Sequence, residues 1–311
     1  MNQTAASAVK GRNRIRRSAS DLRFDIINYT ILAVLLVIII YPLYFVVIAS
    51  FSAPSLVTTG RVTLWIKQFN IEGYKRVFEL DEVWQGYANT IYYVSTKTVL
   101  STFFTLLAGY ALSRKYCPFR NKIMALFTFT MFFGGGLVPT YLLVKNMGLN
   151  NTRSVIIILG MISVYNIIIT RTFMEANISE SLVDAASIDG CGHFQFFFQM
   201  VLPLSPAIIA VLVLWTAVGE WNSWFNAMIY LRDENKYPLQ FVLRNLLNTV
   251  STMLGVTDAF TDTEGIYTEQ QLLAEIMKYS LIIVSSAPIM MIYPFLQKYF
   301  VKGIMIGSVK G

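Results

Sequence analysis

The chain has 311 residues, 55% of them hydrophobic and only 14% charged, with a formal net charge of +7 and a mean hydropathy of +0.54. A soluble domain carries about a quarter charged residues, so this composition lacks the surface for one and points to a membrane protein. His193 is the only histidine, and the two cysteines, Cys117 and Cys191, lack paired spacing. That excludes HExxH zinc chemistry and leaves no disulfide or metal site to expect. The basic residues cluster at the ends of apolar segments, a pattern of membrane topology and not of a nucleic-acid groove.

In chain order, residues 1–23 form a polar tail with Lys10, Arg12, Arg14, Arg16, Arg17 and Arg23. The apolar segment 28–50 follows without a convincing small-residue cleavage site, so it reads as a retained span. Further spans are expected at about 89–112, 123–144, 155–173, 207–231 and 281–300. About 20 helical residues cover the roughly 30 Å of a hydrocarbon core, and helices satisfy their own backbone in lipid. Gly134, Gly135, Gly136 and Pro139 should break the third span or bring it close to a neighbour. Arg114, Lys115, Arg120 and Lys122 follow the second span, and Lys302 and Lys310 close the chain. With six spans, the positive-inside rule then places both termini in the cytosol. The expected fold is all-α and polytopic: a basic tail over 1–23 and one transmembrane domain over 24–311. A cytosolic loop falls at about 175–203 and an acidic external segment at about 232–278.

The cytosolic loop carries DAASIDGCGHFQFFFQMVLP from Asp184 to Pro203. Asn177 and Glu180 are spaced for a capping box, and Leu182, Ala185, Ala186 and Ile188 follow at helical spacing. Small alanines permit close approach to a partner groove. Gly190 permits a sharp turn, and Leu202-Pro203 suits the first turn of the next span. Asp184 and Asp189 offer carboxylates to a partner.

In the fifth span Glu220 lies about 13 residues from the start, roughly 20 Å along the helix. A charge there must face a partner or a watery path. Trp221, Trp224, Phe225 and Asn222 have the ring faces and amide that suit sugars, which favours pathway lining, with helix packing and an interfacial aromatic belt as the alternatives. Tyr92, Tyr93 and Lys97 pose the same choice in the second span, where Lys97 can snorkel outward as a structural residue.

The spacing Asp-Ala-Ala, three residues, Gly190, nine residues, Met200, one residue, Leu202-Pro203 resembles the EAA loop of ATP-binding cassette (ABC) importer permeases. Asp184 stands for the family's Glu and Met200 for its Ile. The stretches TMFFGGGLVPTYLL, GLNNT, RTFMEANISESLVDAASIDG, GEWNSWFNAMIYLRDENKYPLQ and FVKGIMIGSVKG resemble the carbohydrate-uptake branch, covering most of 24–311. The resemblance implies a type I importer transmembrane domain in a bacterial cytoplasmic membrane, and no catalytic residue. Glu180, Leu182, Asp184, Ala185, Ala186, Asp189, Gly190, Leu202 and Pro203 would serve ATPase coupling. Glu220, Trp221, Asn222, Trp224 and Tyr93 are candidates for the substrate pathway.

No GxxxxGK[ST] loop occurs, so the chain itself holds no such nucleotide site; the resemblance implies ATP and Mg on partner subunits. The implied partners are a second homologous permease, two copies of an ATP-binding subunit and an extracytoplasmic sugar-binding protein. The long external loop matches in length one that reaches into the docked binding protein. A permease for another solute, an ion-coupled secondary transporter and a membrane-embedded enzyme are the rival readings. Secondary transporters need buried ionisable residues in several spans, which spans one, three, four and six scarcely offer.

Overall fold

A computed structural model describes residues 19–258 and 276–291. The basic tail before residue 19, part of the external segment, the second half of the expected sixth span and the C-terminal tail lie outside the described residues. Every described regular element is helical.

Helix α1 (Ala19–Ser50) is apolar on every side and exposed along most of its length, as a helix facing lipid must be. Short helices α2 (Pro54–Thr58) and α3 (Glu72–Glu79) lead to α4 (Asp81–Ser113), the axis of the molecule. At 33 residues α4 runs for about 50 Å. Helices α5 (Arg120–Phe132) and α6 (Leu137–Asn146) meet at 111°, with the glycine run between them. Gly136 takes φ +83°, and a Cβ at Gly134 or Gly136 would meet nothing, so the run makes a bend and not a close contact.

The expected fourth span is two helices, α7 (Arg153–Ile158) and α8 (Val164–Asn177), a break the residue pattern did not announce. Helix α9 (Glu180–Ile188) carries the Asp-Ala-Ala sequence. It is followed by α10 (His193–Phe196), a π-helical turn at Phe197–Val201 and the single turn α11 (Leu202–Leu204). Helix α12 (Pro206–Trp221) starts after an 83° bend, so Pro206 and not Pro203 opens the expected fifth span. That span is interrupted again at 222–224 before α13 (Phe225–Tyr230). Helices α14 (Leu239–Asp258) and α15 (Ile276–Met291) complete the described chain.

Among the described residues only α1 is long and apolar enough by itself to cross a membrane, and the two bent pairs raise the number to three at most. The expected count of six is therefore not reproduced by helix length and hydropathy. Helix α4 shows why: Asn89, Thr90, Lys97, Thr98, Ser101, Thr102 and Thr105 are all buried against other helices. A helix enclosed by protein can be polar where a lipid-facing one cannot.

Close packing of α4 depends on two glycines. A Cβ at Gly86 would lie 3.0 Å from Leu239 Cα. One at Gly109 would lie 2.5 Å from Thr170 Cγ2 and 2.8 Å from Thr170 Cβ, forcing α4 and α8 apart. Gly109→Ala is therefore expected to cost about 1–3 kcal/mol of stability. A thermal melt in mild detergent measures it. Thr170→Ala in the same chain should recover part of the loss by removing the methyl; an unchanged melt for Gly109→Ala would disprove the close crossing.

Candidate functional site

At mid-length of α4, Lys97 is 7% exposed in its side chain and meets Glu220 of α12 at 2.7 Å, itself 7% exposed. The other two ammonium protons go to the carbonyls of Ile156 at 3.0 Å and Leu159 at 2.9 Å. These carbonyls close α7 at the break in the fourth span, where no helical N–H follows to take them. A cation at a helix C-terminus satisfies both the orphaned acceptors and the dipole. Glu220 then neutralises the ammonium, so three elements meet at one fully used side chain. Lys97 does not snorkel outward.

Arg114, directly after α4, repeats this arrangement. Its guanidinium is fully buried and donates to Met174 O at 3.0 Å, Ile178 O at 3.1 Å and Ser113 Oγ at 2.9 Å. Met174 and Ile178 close α8. One helix thus supplies cationic caps to both halves of the broken span. In the sequence Arg114 registers only as one of four basic residues setting topology; the span break that would have exposed its role carries no clear signal.

Beyond Arg114 lies α9. Val183 is buried with Met174, Ile178, Phe196, Phe197 and Val201, and Leu182 and Ala186 pack against that core. Asp184, Ala185 and Asp189 are exposed, and Ile188 is 87% exposed. Glu180 sits in the first turn, where its charge suits the helix dipole. The expected capping box is absent: Asn177 still belongs to α8 and donates to Phe173 O, while Ser179 occupies the cap position and bonds Ser181 Oγ. The C-terminus is a Schellman turn, with Cys191 N donating to Ala186 O at 2.9 Å and Gly190 N to Ser187 O at 3.1 Å. Gly190 takes φ +78° with open space where a Cβ would sit, so the backbone conformation and not crowding demands glycine. Leu202 is half-buried against the same core, and Pro203 is exposed.

At the opposite end of α4, GLNNT and YLRDENKYPLQ form one cap. Asn89 Nδ2 donates to Asn235 O and Tyr237 O at 2.8 and 3.0 Å, and Arg153 donates to Asn89 Oδ1. Leu239 N donates to Thr90 Oγ1 at 2.8 Å. Asn151, in the left-handed region at φ 58°, accepts from the N–H groups of Arg232 and Asp233 through its side chain. Hydrogen bonds from Lys236 and from Asn235 N–H hold the Asp233 carboxyl below its usual range.

The candidate pathway residues separate accordingly. Tyr93 is buried and donates to Lys236 O at 2.8 Å. Trp221 is 6% exposed, and its indole donates to Ser285 O of α15 at 3.0 Å. With Glu220 they belong to the packed interior of this chain. Asn222 is exposed, its amide donating to Val218 O, and Trp224 is half-buried at the start of α13.

The described residues form an all-helical bundle with broken spans and a projecting loop helix, and proteins similar to it are transport subunits rather than enzymes. The chain belongs to the permease subunits of ABC transporters, in the carbohydrate-import branch. It is 35% identical over 288 residues to the polygalacturonan/rhamnogalacturonan transport system permease protein YtcP of Bacillus subtilis, covering 93% of this chain and 98% of that one. Protein LplC of the same organism is also 35% identical, covering 93% of this chain and 95% of its own length. A crystal structure of a bacterial ABC transporter involved in the import of the acidic polysaccharide alginate superposes with a TM-score of 0.81 at 31% identity. It covers 91% of this chain and 99% of that chain. No protein-family model matches the sequence.

Removing Lys97 strands a buried carboxylate and two carbonyls together. Lys97→Met should lower stability by about 3–5 kcal/mol. Glu220→Gln also removes the counter-charge, but its amide oxygen still accepts and the two carbonyls stay bonded, so it should cost less, about 2–3 kcal/mol. Thermal melts of the purified chain rank the two; a larger loss for Glu220→Gln would show that the ammonium serves the carboxylate and not the helix end.

Proposed function

We propose that this chain forms half of the translocation pathway of an ATP-driven, binding-protein-dependent importer of acidic oligosaccharides. A second, homologous permease completes the pathway. Two ATP-binding subunits, carrying ATP and Mg, engage the 175–203 loops, and an extracytoplasmic sugar-binding protein delivers cargo. Six spans with both termini in the cytosol remain the topology that the Lys and Arg distribution favours.

The observation that carries the proposal is α9: a helix fixed to the body on one face, with Asp184, Ala185 and Ile188 open on the other. Ile188 stands exposed beside Asp184, Ala185 and Asp189, so the outer face of α9 offers an apolar contact flanked by carboxylates to a partner. Pressure on that face reaches α8 through the two-residue link Ile178–Ser179, and α4 through Arg114. Closure of an ATPase dimer can thereby rock the spans between two states. The acidic cargo is supported by two full-length relatives. Polygalacturonan and rhamnogalacturonan are, like alginate, rich in uronic acids.

The test is on Gly190, in the assembled importer. Gly190→Val places a β-branched residue at φ +78°, while Gly190→Asn tolerates that region. Uptake per ATP hydrolysed should fall about tenfold or more in the valine variant, from strain of roughly 1–3 kcal/mol, and much less in the asparagine variant. Unchanged uptake and assembly with valine would refute coupling through this loop.

A further inference from the structure

We infer that the guanidinium of Arg244, stacked on Trp224, is a carboxylate-binding site in the cargo path, taking one uronate unit of an acidic oligosaccharide at a time. The inference rests on the importer reading and supplies the residues that recognise its cargo.

Arg244 Cζ lies 3.5 Å from the centroid of the Trp224 ring, against 5.3–5.8 Å in the other cation–ring contacts among the described residues. At that distance the group is in van der Waals contact with the indole. The indole is itself braced edge-on by Phe225 at 5.6 Å and 88°. Two elements hold the pair: Trp224 opens α13 just after the interruption of the fifth span, and Arg244 lies early in α14.

Arg114, Arg120, Arg153 and Arg171 donate to protein acceptors, while Arg61 and Arg232 also keep open guanidinium edges but lie over no ring among the described residues. The exposed Arg244 forms no hydrogen bond or ion pair among the described residues, so its N–H edge is open. Glu220, the acid nearest to Trp224 in sequence, is committed to Lys97 and does not compete. A planar guanidinium fixed by stacking loses little freedom on binding and matches a carboxylate with two parallel hydrogen bonds. Exposed Asn222 keeps its side-chain oxygen open for a sugar hydroxyl, since only its Nδ2 is engaged.

The experiment uses the full importer with its ATPase and binding protein in proteoliposomes. Uptake of trigalacturonate is compared with uptake of its uncharged methyl ester. Arg244→Gln should lower trigalacturonate uptake about tenfold. Basal ATP hydrolysis and assembly should stay unchanged, and so should any uptake of the ester. Arg244→Lys should restore part, because charge remains without the paired edge. Equal trigalacturonate uptake by wild type and Arg244→Gln overturns the inference and leaves the importer reading standing. So does a fall shared by acid, ester and basal hydrolysis, which would mark a structural role. A wild-type importer that takes up neither trimer, with no stimulation of ATP hydrolysis, overturns both.

Discussion

The structure depends on what happens to the carbonyls of a helix that stops inside a membrane protein. Helices α7 and α8 are halves of one interrupted span, and each ends with acceptors that lipid cannot satisfy. Helix α4 answers both ends with its own cations, Lys97 for α7 and Arg114 for α8. The two lie 17 positions apart, about 26 Å along one helix. The break is therefore held open by fixed interactions and not by chance packing. Lys97 also takes a counter-charge from another span, Glu220 of α12, where an acid alone would be costly.

With those caps in place α4 becomes a strut between two working ends. At one end Asn89, Thr90 and Tyr93 bind the backbone of 235–239, locking the cap made with Asn151. At the other, Arg114 ties the strut to the link leading into α9. Interruptions cluster around the strut: α5–α6, α7–α8 and α12–α13 all bend or stop beside a helix that does not. An uninterrupted member among jointed ones is suited to passing a push along the bundle, since α4 offers no break at which a displacement at α9 would be absorbed.

The sequence made much of the α9 end legible, because its signals are local. Gly190 and the apolar spacing from Leu182 determine a turn and a helix face within a dozen residues. The glycine bend at 134–136 is legible for the same reason. What was not legible depends on distant partners. Lys97 and Glu220 are 123 positions apart, and nothing local pairs them. Hydropathy read α4 as a merely polar span, although its polarity records enclosure by neighbours. The break at 159–163 contains Gly160 at φ +68°, yet a lone glycine in an apolar run is common in membrane helices, so neither cap could be anticipated. The capping box failed for a related reason: α8 runs on far enough to claim Asn177.

The Lys97 node also limits how this chain can diverge. An ordinary ion pair tolerates reversal, since acid and base can exchange places with little change in attraction. Here reversal is forbidden, because a carboxylate at position 97 has no protons to offer Ile156 and Leu159. The helix end thus fixes the sign of the charge on α4, and α12 must then present an acceptor to it. Related sequences that keep the broken fourth span should therefore vary at 220 among acceptors while holding a donor at 97. A chain that loses both charges should have healed the break into a continuous helix.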